Sequence, residues 1–146
     1  MPRISKASAL RHELLLKWSL FGGSIYFLLV AIAHFFGIKI PGLYIYFDIQ
    51  SCSYQDRIIA FLSFGWSMFL LSGYQLVRSG HSRPVRYILL AGLLAIISLL
   101  FINNSSEISQ TAPERSRWIY MFETMILFLY TLWLVILYVR CRNNPG

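Results

Sequence analysis

Four long apolar runs, each bounded by charged or turn-forming residues, constrain this chain more than any other feature of its sequence. They lie near Trp18–Phe36, Ile58–Val77, Tyr87–Ile102 and Trp118–Val139. A helix needs about 20 apolar residues to cross the hydrocarbon core of a bilayer. Within lipid every backbone N–H and C=O must find its partner inside the element, so such runs are expected as helices. The third run is the shortest, and it spans if Arg86 extends its side chain to the headgroups. Trp18, Tyr87, Trp118 and Tyr138 fall at run ends, where amphipathic rings favour the membrane–water interface.

The rest of the chain agrees. Charged residues make up 13% and hydrophobic ones 57%, whereas a water-soluble domain carries about a quarter charged residues. A mean hydropathy of +0.59 over 146 residues leaves too much apolar surface for water alone. The expected architecture is an all-α four-helix transmembrane bundle formed by a single domain, residues 1–146. An A-x-A pattern at Ala31-Ile32-Ala33 also fits a cleaved secretory signal. Apolar character continues through Phe35 and Phe36, however, so a retained first span is the expectation.

The net charge of +7 does not point to nucleic acid, because the basic residues cluster at run ends rather than along one helical face. Arg3, Lys6, Arg11 and Lys17 precede the first run, Arg78, Arg83 and Arg86 join the second to the third, and Arg140 and Arg142 follow the fourth. Those nine of the 13 Lys and Arg fall on one side of the membrane, against Lys39, Arg57, Arg115 and Arg117 on the other. Basic residues are retained in the cytoplasm, so both termini are expected there. The basic turn around Gly80-His81-Ser82 would then meet anionic headgroups. A multi-pass protein of a bacterial inner membrane is the expected setting. Cys52 and Cys141 would lie on opposite sides, and no C-x-x-C motif occurs.

Two long connections are expected on the outer side. In the first, residues 43–50 alternate, with Leu43, Ile45, Phe47 and Ile49 against Tyr44, Tyr46, Asp48 and Gln50. Period two predicts a short extended, β-like loop between helices 1 and 2, its apolar side down on the bundle and Tyr44 on the side facing water. Ile38-Lys39-Ile40 could pair back across the Pro41-Gly42 turn. The second connection, Asn103–Arg117, is rich in Ser, Asn and Glu and is expected to be solvated.

Polar chemistry is concentrated near the outer ends of the runs. Glu123 lies inside the fourth, and a carboxylate within a span is a functional candidate by default because ionised groups are costly there. His34 near the end of the first run, and Asp56 and Arg57 at the start of the second, are expected at a similar depth. These four are the candidate proton- or ligand-binding residues, and a His–Glu or Arg–Glu pair among them would equally serve as a structural clasp. No short ligand spacing supports a metal site. His12 and His81 fall on the side opposite His34, which leaves no facing pair of axial ligands for haem. No cofactor and no catalytic set is predicted. A non-catalytic accessory or assembly subunit of a membrane complex is the expected role. The alternative is a small homo-oligomeric transporter or channel that couples to protons or cations through Glu123.

Overall fold

The computed structural model describes residues 3–45, 52–104 and 114–143, and among them every regular element is an α-helix. These are α1 (Arg3–Phe36), α2 (Ser53–Arg78), α3 (Val85–Asn103) and α4 (Glu114–Asn143). All four are long and apolar enough to cross a bilayer, over Leu10–Phe36, Ser53–Arg78, Val85–Asn103 and Trp118–Arg142, the signature of a multi-pass membrane protein. At 1.5 Å per residue, the 34 residues of α1 extend roughly 51 Å, well beyond a hydrocarbon core of about 30 Å. The 19 residues of α3 reach about 28 Å and only just cross.

Local chemistry sets the helix ends. Gly37 adopts φ 67°, its N–H bonds the His34 carbonyl at 3.3 Å, and the Ile38 N–H bonds the Ala33 carbonyl at 2.8 Å. This pair of bonds is a Schellman stop, which needs a left-handed residue and therefore favours glycine. The same pattern closes α2 at Gly80, with φ 78°, through Gly80 N–H to Val77 O (3.1 Å) and His81 N–H to Leu76 O (2.8 Å). At the start of α2 the Gln55 side chain accepts the Cys52 N–H at 3.2 Å, occupying a donor that the first turn leaves over.

The bundle is two helical hairpins, α1–α2 and α3–α4, joined most firmly at the end that holds the termini and the α2–α3 turn. Leu16 and Leu20 of α1, Leu70 and Val77 of α2, Val85, Ile88 and Leu89 of α3, and Leu134, Leu137 and Tyr138 of α4 form the core there. A Cβ at Gly73 would lie 2.9 Å from the Ile88 side chain, so the missing methyl is what lets α2 and α3 approach. Tyr138 O–H reaches the Arg83 carbonyl at 3.4 Å and ties α4 to the turn.

Toward the other end each hairpin has its own polar fastening. In the first, Ser24 and Ser67 Oγ lie 3.2 Å apart, and the Ser67 hydroxyl donates to the Ser24 carbonyl at 2.8 Å. Ala31, Ala33, Ala60 and Ser63 are buried further along the same two helices. In the second, Asn103 Nδ2 donates to Thr124 Oγ1 at 2.7 Å and to the Tyr120 carbonyl at 3.4 Å. Small side chains and interhelical hydrogen bonds are what associates helices in lipid, where apolar contact alone gives no net drive.

The β-like loop after α1 is not supported, since no strand is present among the described residues. The Leu43 and Tyr44 amides both turn back to the Ile40 carbonyl, at 3.1 and 2.9 Å, which leaves neither free for a ladder. Ile38 N–H is spent on the Schellman stop and Ile40 N–H on Ile38 O (3.0 Å), so among the described residues the 38–40 segment is joined across the turn only through the Ile40 carbonyl and forms no ladder. Tyr44, expected to face water, is instead 2% exposed. The remainder of the alternating segment, 46–50, lies outside the described residues, as does most of the second connection.

Candidate functional site

Two polar sites flank the turn over residues 37–45, one on each side. On the first side is His34, buried at 1% exposure. Its Nε2 accepts the Ile45 amide at 2.9 Å, and the Tyr44 ring stacks on the imidazole with centroids 4.1 Å apart and planes 16° from parallel. A backbone N–H can only donate, so Nε2 is unprotonated and the neutral ring carries its hydrogen on Nδ1. That atom faces Asp56 Oδ1 of α2 at 3.6 Å. The imidazole thus joins three parts of the chain: the end of α1, the start of α2 and the turn between them. Lys39 Nζ lies 5.8 Å from the centre of the Tyr44 ring.

On the second side, α1 and α4 diverge around a cavity of about 340 Å³. Its walls are Tyr26 and Phe27 of α1 and Ile126, Leu127 and Tyr130 of α4, with Gly22, Gly23, Gly42 and Glu123 completing the lining. Gly22 and Gly23 contribute only backbone, and the space a side chain would fill on Gly22 is empty. Gly42 roofs the cavity. Its carbonyl accepts the Tyr26 hydroxyl at 2.9 Å, and its amide is turned toward the Glu123 carboxylate. Deeper down, Tyr130 O–H donates to the Ser19 carbonyl at 2.8 Å, and Trp133 Nε1 donates to Ser19 Oγ at 3.1 Å.

Of the four residues singled out in the sequence, then, His34 and Asp56 meet. Glu123 contacts the same 37–45 turn from the cavity side, through Gly42 rather than through His34 or Arg57. Arg57 is exposed on α2. Helix periodicity separates Glu123 from its neighbour Thr124, which is 4% exposed and turns to Asn103 of α3 instead. Tyr26 and Gly42 are site residues that sequence reasoning passes over. Tyr130 shares a helical face with Glu123 at a spacing of seven, which was a readable signal. Tyr26 and Gly42 reach the site only through the fold of the turn, which no local pattern announces. Among the described residues no three of His, Cys, Asp and Glu converge as a metal site.

The second site presents one carboxylate on an otherwise apolar and aromatic surface, suited to holding a ligand rather than to passing protons along a chain of groups. Comparison with protein-family models, with curated proteins and with solved structures finds no match to this chain.

Proposed function

We propose that this four-span chain is a non-catalytic accessory or assembly subunit of a larger membrane complex, with both termini in the cytoplasm. The outward face of α2 carries the reading. Phe61, Gly65, Met68 and Ser72 recur there at helical spacing, all exposed, and a Cβ on Gly65 would meet only open space. The Ser72 hydroxyl is satisfied by the Met68 carbonyl at 2.9 Å, so the face is apolar throughout. Lipid covers large side chains without cost. A glycine notch between Phe61 and Met68, in contrast, suits the close approach of another transmembrane helix. The division of the spans agrees, since in the most apolar 18-residue stretch of each helix 39% of the residues of α1 and only 22–28% of those of the other three are buried inside the chain. Little interior remains for a substrate path within one copy.

Purification in a mild detergent or in polymer discs tests this. A stoichiometric membrane partner is expected, and Gly65→Leu should release it while leaving the thermal midpoint of the chain unchanged. A chain that isolates alone, with Gly65→Leu neutral in the cell, would count against a subunit role.

One observation favours a second reading, a small oligomeric transporter or channel coupled to protons or cations. Glu123 reaches a cavity, where a coupling carboxylate would have to sit. Reconstituted vesicles should then show a cation- or pH-driven flux that Glu123→Gln abolishes.

A further inference from the structure

The cavity between α1 and α4 has a donor–acceptor balance that selects its occupant. Its polar groups are nearly all acceptors. The one donor among them, the Gly42 amide, is turned toward Glu123. Each phenol has given its single hydrogen away, Tyr26 to the Gly42 carbonyl at 2.9 Å and Tyr130 to the Ser19 carbonyl at 2.8 Å. What remains for a ligand is the Glu123 carboxylate and the lone pairs of two phenol oxygens. A phosphate, carboxylate or carbonyl placed there would find no donor beyond the Gly42 amide and would face the Glu123 carboxylate. An ammonium group would find acceptors, an opposite charge and aromatic faces that favour cations.

Size and surroundings narrow the class. A volume of about 340 Å³ lies in the range of organic-ligand sites rather than of bare ions. A hard metal cation would need about six oxygen ligands, more than one carboxylate and two phenols supply. Tyr26 and Ile126 at the rim are 37% and 50% exposed, so the cavity opens sideways between the helices at the depth of the membrane. Phe27 and Leu127 offer an apolar wall to a chain lying along it. We propose that this cavity binds an amphiphile with a protonated amine head and an aliphatic body, the ammonium held by Glu123 beneath the Gly42 turn. The site is independent of the α2 face and of any flux: a copy that meets no partner and transports nothing still has it.

The test uses the full chain in phosphatidylcholine nanodiscs, labelled with a photoreactive long-chain alkylamine and, separately, with the alcohol of the same length. Labelling by the amine should saturate, should map to Gly22–Phe27 and Ile126–Tyr130, and should be displaced by unlabelled dodecylamine. Losing a charge-assisted contact weakens binding by about tenfold or more, so both the alcohol and Glu123→Gln should label that much less. Gly22→Phe, which projects into empty space, should block labelling with Glu123 still in place, and its thermal midpoint reports that the fold is intact. Doping the discs with phosphatidylethanolamine separates two sources of the same chemistry. Competition assigns the amine to a lipid headgroup, and its absence assigns it to a free alkylamine. Equal labelling by amine and alcohol, or labelling indifferent to Glu123→Gln and to Gly22→Phe, would overturn the proposal.

Discussion

Gly23 of α1 lies so close beneath Tyr130 of α4 that a Cβ added to it would overlap the phenol oxygen. That closeness is what lets the Tyr130 hydroxyl reach past Gly23 to the Ser19 carbonyl one turn below, at 2.8 Å. Its neighbour Gly22 has nothing within 4 Å of the same added atom. Two adjacent glycines should therefore respond in opposite ways. Gly23→Ala should destabilise by about 1–3 kcal/mol, the usual cost of overpacking, with the Ser19 bond strained or lost. Gly22→Ala should be neutral or stabilising by up to about 1 kcal/mol, because alanine is the better helix former. Thermal midpoints of the two variants in one detergent check this, and equal losses would show that the close approach to Tyr130 does not hold α1 to α4.

The far end of the second hairpin depends on Asn103. Its amide nitrogen serves both Thr124 and the Tyr120 carbonyl, while the Thr124 hydroxyl itself donates to Tyr120 O at 2.9 Å. Side-chain hydrogen bonds between membrane helices contribute about 0.6 kcal/mol on average and about 1.7 at most. Asn103→Leu is thus expected to cost about 1–2 kcal/mol. Thr124→Val should cost less, and the double variant less than the two single losses added. Strict additivity would mean that the two residues act separately.

The positions of the spans were legible because hydropathy and helix length are bulk properties of a segment. The four runs fall inside the four helices, and the predicted end at Phe36 coincides with the Schellman glycine that follows it. His34 and Asp56 were placed at one depth by counting residues, and they do meet. The alternation from Leu43 to Gln50 misled for a physical reason. Period two reports only which side chains can share a face if the backbone is extended. Here the Leu43 and Tyr44 amides are committed to Ile40, and stacking on His34 draws Tyr44 inward. The contact between Glu123 and Gly42 is illegible for the same reason, since a main-chain amide has no sequence signature and its position follows from that turn.

His34 holds the turn from the side opposite Glu123, so its removal should be felt across the turn. His34→Ala deletes the acceptor of the Ile45 amide and the surface on which Tyr44 stacks. The expected cost is about 1–3 kcal/mol for a hydrogen-bonding group left without its partner, less if water enters to replace it. Protease cleavage after Lys39, an exposed residue, should become faster. His34→Gln, which can still present an oxygen to the Ile45 amide, should recover part of both effects. Unchanged cleavage in His34→Ala would show that the turn is held by its Gly42 contacts alone.

The two native cysteines provide a reporter at each end of the bundle. Cys52 is exposed at the start of α2, the end opposite the nine basic residues. Cys141 is partly buried in the last turns of α4, among Arg140 and Arg142. Translocating basic residues is unfavourable, so the end that carries them should stay in the cytoplasm. In intact cells a membrane-impermeant maleimide should therefore label Cys52 in a Cys141→Ser background. A shielded thiol reports poorly, so the opposite end is better read from Ser82→Cys in the turn after α2, with both native cysteines replaced by serine. That site should label only after permeabilisation, while Lys39→Cys in the same background should label without it. Labelling of Ser82→Cys from outside, with Lys39→Cys protected, would invert the orientation. The Arg78, Arg83 and Arg86 cluster would then face away from the anionic headgroups it is proposed to meet.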